Sequence, residues 1–85
     1  MPYKIEYLEE VFDQLARIQQ NIRLAIIRAI DERLSTDPYR FRPLVCNLRG
    51  FFRMRIGDYR IIYQVDKETF TVLIVKIDVR GNVYR

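Results

Sequence analysis

The chain reads as an α+β domain, with two antiparallel helices packed on one face of a mostly antiparallel sheet. Three observations predict this. Residues 3–7 alternate apolar and polar side chains with period two, residues 8–34 carry apolar side chains at helical spacing, and residues 51–77 hold three apolar-rich runs divided by turn residues. Strand, helix, helix and a strand meander leave the second face of the sheet open. Eighty-five residues suit a single domain over 1–85, and an apolar share of 49% suffices for one core.

Tyr3-Lys4-Ile5-Glu6-Tyr7 has the alternation of a half-buried strand. Glu9, Glu10 and Asp13 then open a helix at the end where its dipole favours carboxylates. Leu8, Val11, Phe12, Leu15 and Ile18 form that helix's apolar stripe. Gln19-Gln20-Asn21 interrupts the pattern, and Asn21 is the expected N-cap of a second helix. There Ile22, Ile26, Ile30 and Leu34 lie four apart, with Ala25, Ile27 and Ala29 widening the stripe. Pro38, after Ser35-Thr36-Asp37, ends it. Both stripes read as core-facing surfaces.

Residues 38–50 read as irregular, punctuated by Pro38, Pro43 and Gly50 and charged by Arg40, Arg42 and Arg49. Three strands are expected next, from Phe51 to Ile56, from Tyr59 to Val65 and from Thr69 to Ile77. Gly57-Asp58 is a two-residue hairpin turn with glycine leading, the pattern of a type II′ turn. Arg80 to Arg85 form a tail in which Val83-Tyr84 could add a short strand.

Charge is divided unevenly. Residues 1–39 carry five basic and seven acidic side chains, whereas residues 40–85 carry ten basic and four acidic. The second half is therefore the expected partner of an anion. Arginine outnumbers lysine twelve to three, and arginine's planar fork suits phosphate oxygens. Cys46 is alone, which excludes an internal disulfide, and it reads as a small buried hydrophobe. The start Met1-Pro2-Tyr3-Lys4 turns polar at once, and the apolar stretch Val72 to Val75 is too short to span a membrane. A cytoplasmic protein without a membrane partner is expected. The chain has no histidine and scattered carboxylates, so neither a metal site nor a metal cofactor is expected. No glycine-rich loop precedes a helix, so a small-molecule nucleotide cofactor is not expected either.

The hairpin turn dictates a register. Ile56 should face Tyr59, Arg55 should face Arg60, Met54 Ile61, Arg53 Ile62 and Phe52 Tyr63. Phe52, Met54, Ile56, Tyr59, Ile61 and Tyr63 then share the core face. Arg53, Arg55 and Arg60 share the open one. Like charges placed directly opposite cost a sheet up to about 1 kcal/mol, and no acid stands at a matching position on these two strands. An anion site is the functional reading; the bland one is that both side chains splay into solvent or that a nearby acid offsets them. A nucleic-acid backbone is the natural remaining partner, since phosphates attract arginines without regard to sequence.

The run Arg55-Ile56-Gly57-Asp58-Tyr59-Arg60-Ile61-Ile62-Tyr63-Gln64-Val65 resembles the central motif of the RelE/ParE toxin superfamily. The ending Val79-Arg80-Gly81-Asn82-Val83-Tyr84-Arg85 and the approach from Leu44 to Leu48-Arg49-Gly50 are similar to it too. The resemblance implies the toxin of a type II toxin-antitoxin system, an mRNA interferase cutting translated message in the ribosomal A site, held inactive by a cognate antitoxin. It implies that Arg53, Arg55, Arg60, Arg80 and Tyr84 are catalytic, Tyr84 as the terminal tyrosine of the motif. Arg49 and Arg85, with Arg53, Arg55 and Arg60, would bind RNA. The implied chemistry is attack by the RNA's own 2′-hydroxyl without a metal. It needs a proton acceptor, charge stabilisation at phosphorus and a proton for the leaving 5′-oxygen. Arginines stabilise charge but hold their protons, which leaves Tyr84 as the proton-transfer group. The chain departs from many relatives in having Asp78-Val79-Arg80 where they have Gly-His-Arg, and arginine at 53 and 55 where they often have lysine. Asp78 stands near Arg80 in sequence and could orient it. Two other readings stand beside this one: a ParE-like inhibitor of DNA gyrase, and, from the missing histidine, a non-catalytic nucleic-acid-binding or regulatory module with a degenerate site.

Overall fold

The computed structural model describes residues 2–44 and 50–79. Cys46, Arg49, Arg80, Tyr84, Arg85 and the possible strand at Val83-Tyr84 lie outside the described residues. The elements in chain order are β1 (Lys4–Tyr7), α1 (Glu9–Ala16), α2 (Gln20–Ala29), β2 (Arg42–Pro43), β3 (Phe51–Ile56), β4 (Tyr59–Asp66) and β5 (Thr71–Val79). They build a five-stranded sheet in the order β1-β5-β4-β3-β2. Four neighbours of this order make three antiparallel pairs and one parallel pair, β1 with β5. No helix of the described residues is long and apolar enough to cross a membrane.

The helices pack on one face of this sheet. Val11, Leu15 and Ile18 from the first helical segment meet Ile26, Ile30 and Leu34 from the second, over Met54, Ile61, Tyr63, Val72, Ile74 and Ile77 of the sheet. Glu9 and Glu10 do occupy the first turn of α1. The second helix begins two residues earlier than an Asn21 cap would allow: its N-cap is Gln19, and no side chain caps it. The C-terminal end of α1 is held instead by Arg23 of α2. Its guanidinium donates to the Leu15 carbonyl at 3.4 Å and the Ile18 carbonyl at 3.3 Å. A cation there also complements the helix dipole, and the last turn of α1 has no basic residue of its own.

Three residues of the expected stripes leave the core, Phe12, Ile22 and Ala25. Phe12 is 56% exposed and Ile22 37%. Phe12 neighbours Val11 and sits about 100° around the helix from it, so both cannot point inward. A row of residues four apart drifts by about 40° per step. Ile22, the far end of its row, therefore rotates outward when Ile26 and Ile30 are centred. Beyond Ala29 the helix loosens into a π-helical turn, Ile30–Leu34, which keeps Leu34 buried.

The meander follows its expected course, with three changes of boundary: β4 runs on to Asp66, and β5 starts later and ends at Val79 rather than Ile77. β5 runs from Thr71 rather than Thr69, because Phe70 has a positive φ of 52° and belongs to the turn. The Asp66 carboxylate accepts the backbone N–H of Glu68 at 3.0 Å in that same turn. Residues 38–50 are not wholly irregular, since Arg42 and Pro43 pair with Arg53 and Phe52. Where β1 ends, α1 takes over the exposed edge of β5. The Leu8 N–H donates to the Ile74 carbonyl at 3.0 Å, and the Ile77 N–H donates to Gln14 Oε1 at 2.8 Å.

Candidate functional site

The hairpin between β3 and β4 has the register its turn requires. Gly57 carries the positive φ, 56°, and Arg55 stands opposite Arg60, Arg53 opposite Ile62 and Met54 opposite Ile61. Met54, Ile61 and Tyr63 are buried beneath the helices, while Arg53, Arg55 and Arg60 point to the open face. Arg55 is exposed, and Arg53 and Arg60 are half-buried.

The open face holds more than the arginines. Arg53 and Arg60 line a groove of about 420 Å³ together with Lys76 and Asp78 at its charged end. Its floor is apolar, made by Leu44, Phe51, Ile62 and Val75. Arg60 donates to Asp78 Oδ2 at 3.2 Å, and Lys76 Nζ lies 3.9 Å from the same oxygen. Arg55, Arg60 and Asp78 thus form one cross-strand row over β3, β4 and β5. The acid that two strands lack is supplied by the third. The Arg60–Asp78 pair, with side chains 21% and 28% exposed, contributes up to about 1 kcal/mol. That is comparable with the cost of the Arg55–Arg60 apposition, so the row is close to neutral for folding. The opposed arginines alone are therefore a weaker sign of function than the hairpin suggests. The stronger sign is a groove in which two cations share one carboxylate and a third, Arg53, lines the same wall.

Asp78 faces Arg60 across β4 and β5. Lys76 is the residue that alternation misses, and the reason is a bulge. Val72 and Ile74 face the core, so strict alternation would send Lys76 inward with them. Instead Tyr63 pairs with Ile74 and Ile62 with Lys76, which leaves Val75 as an extra residue. The phase of the strand changes there. Ile77 then turns to the core, and Lys76 and Asp78 turn to the groove. The sequence does contain a clue, since a lysine in the core frame would be an unpaired buried charge at prohibitive cost.

The tyrosines of the meander are structural. Tyr63 is fully buried, stacks on Phe52 at 5.5 Å and donates its hydroxyl to the Pro38 carbonyl at 2.6 Å. Burial first, and the charge of Asp37 second, push its phenol far above the ordinary range. Among the described residues no group of three His, Cys, Asp or Glu side chains could hold a metal ion. Chemically, the groove can bind a phosphodiester or carboxylate at its charged end and an apolar or planar group on its floor.

Comparison with known proteins gives consistent results. A family model described as the ParE toxin of the type II toxin-antitoxin system parDE matches residues 5–84. The chain is 34% identical over 86 residues to Toxin RelG of Mycobacterium tuberculosis (strain ATCC 25618 / H37Rv), spanning 100% of this chain and 99% of that protein. Toxin RelE of the same organism is 31% identical over 85 residues, spanning 99% and 88%. Among solved structures, the toxin-antitoxin complex RelBE2 from Mycobacterium tuberculosis contains a chain that superposes with a TM-score of 0.89 at 31% identity. The match covers 96% of this chain and 95% of that one.

Proposed function

The chain belongs to the RelE/ParE toxin superfamily and is the toxin of a type II toxin-antitoxin system, and on that premise we propose that it is a metal-independent endoribonuclease that cuts message in the ribosomal A site. The observation that carries this reading is the groove on the open face, where Arg60 and Lys76 share Asp78, with Arg53 in the same groove, above an apolar floor. A single-stranded RNA offers both halves of the match, phosphate for the cations and base for the floor. Arg60 binds the scissile phosphate and stabilises the charge that grows on it. Arg53 and Arg55 flank it on β3, and Arg80 adds a further cation. Tyr84 exchanges the proton. Arg49 and Arg85 bind the RNA.

The partner of the resting protein is a cognate antitoxin, as the toxin-antitoxin complexes among the structural relatives suggest. An acidic, partly disordered segment would cover the cationic face by charge complementarity. On the helical side Phe12 and Leu24, 56% and 53% exposed, would add apolar contact for the same wrapping chain.

Programmed ribosomes test the activity. Wild-type protein is expected to cut the A-site codon, Arg60→Ala to lose about 100-fold or more of the rate, and Tyr84→Phe to be similarly slow. An intact message with wild-type protein would sink the nuclease reading. The description of the matching family as ParE favours one second reading, inhibition of DNA gyrase. A supercoiling assay on the same sample decides it.

A further inference from the structure

We propose that Lys76 is a substrate-binding residue of this site, gripping the same phosphate as Arg60, and that Asp78 is the positioning residue for both. This inference rests on the RNA-cutting reading above. Three observations carry it. Lys76 lines the groove with Arg53 and Arg60. Its ammonium lies 3.9 Å from Asp78 Oδ2, the oxygen that also accepts from Arg60 at 3.2 Å. Finally, it reaches this face through the bulge at Val75, a device that re-aims side chains at the margins of sites.

The arrangement suits a phosphate in a specific way. One carboxylate oxygen gathers two cations from neighbouring strands, a guanidinium on β4 and an ammonium on β5. Two cations around one anion leave a net positive charge, so a phosphodiester entering the groove can share both without displacing Asp78. The carboxylate keeps two long side chains from spreading into solvent, and it lowers the entropy lost when they close on the ligand. Lys76 is itself 57% exposed in its side chain, so it is open to an incoming strand. Its three rotatable donors complement the fixed fork of Arg60.

The test is single-turnover cleavage on programmed ribosomes with wild type, Lys76→Met, Lys76→Gln, Lys76→Arg and Arg60→Ala, each also melted thermally. The expected result is a loss of about tenfold or more in both neutral variants, recovery of most of it in Lys76→Arg, and unchanged melting in all three Lys76 variants. Cleavage by Lys76→Met and Lys76→Gln within twofold of wild type overturns the inference and leaves the nuclease reading standing. The ammonium would then serve protein contacts instead. Equal loss in Lys76→Arg and Lys76→Met overturns it as well, since the charge would not be what matters. If wild type does not cut while all forms melt normally, the nuclease reading fails first and the inference falls with it.

Discussion

Tyr63 shows how a single residue can look functional and be structural. It lies in the family-like run, yet its ring is sealed in the core and its hydroxyl serves the Pro38 carbonyl at 2.6 Å. Tyr63→Phe removes the donor and leaves a buried carbonyl without a partner, which costs about 1–3 kcal/mol. Urea unfolding would read this as a lower midpoint at unchanged slope. The same residue predicts an alkaline limit. Burial keeps the folded phenol protonated well above its ordinary value of 10.0, so above that pH the folded state holds a proton that the unfolded state releases. Stability is therefore fully present below about pH 10 and falls as pH rises further, and Tyr63→Phe should flatten that decline. The facing of Arg53, Arg55, Arg60 and Tyr63 was legible in the sequence, because a two-residue turn leaves one register. Lys76 was not, because the bulge that exposes it needs a partner strand to define it.

Elements differ in how openly the sequence declares them. The β3–β4 hairpin is declared by Gly57-Asp58, and its strand bounds follow from the turn. Gly57 has a φ of 56° and open space around it, so Gly57→Ala should cost about 1–2 kcal/mol through backbone strain alone. A thermal melt reads this directly, and a cost near zero would mean that the turn relaxes to another type. The helix pair was legible as two stripes, but not its junction. Asn21 has the chemistry of a cap, whereas the end of α1 is in fact sealed by Arg23 from the next helix, a contact that exists only after the pair folds back. Arg23→Met keeps the length of the side chain and loses both bonds, so it should lower stability by about 1–2 kcal/mol, measured by urea unfolding. β2 escaped because two residues that include a proline carry no periodicity, and its pairing with β3 is set by position alone.

Across the whole molecule, the sheet divides two chemistries: a cationic groove on the open face, and helices on the other with Phe12, Ile22 and Leu24 left exposed. The fold class was legible from the order of periodicities, since a strand, two helices and a meander have few ways to share one core. The parallel pairing of β1 with β5 was not. It joins residues 4–7 to residues 71–74, and no local pattern records so distant a neighbour. That pairing has a consequence during synthesis. β1 and both helices leave the ribosome before any of β5 exists, so the first strand must wait, unpaired along that edge, for the last described one. Val11, Leu15 and Ile26 can meet each other early, but the floor supplied by Val72, Ile74 and Ile77 arrives late. Non-local closure of this kind is slow and leaves apolar surface open meanwhile. A toxin built this way emerges incomplete, and the groove acquires Lys76 and Asp78 only with the strand that also closes the sheet. Any partner that recognises this groove would find its target half made until the last described strand is in place.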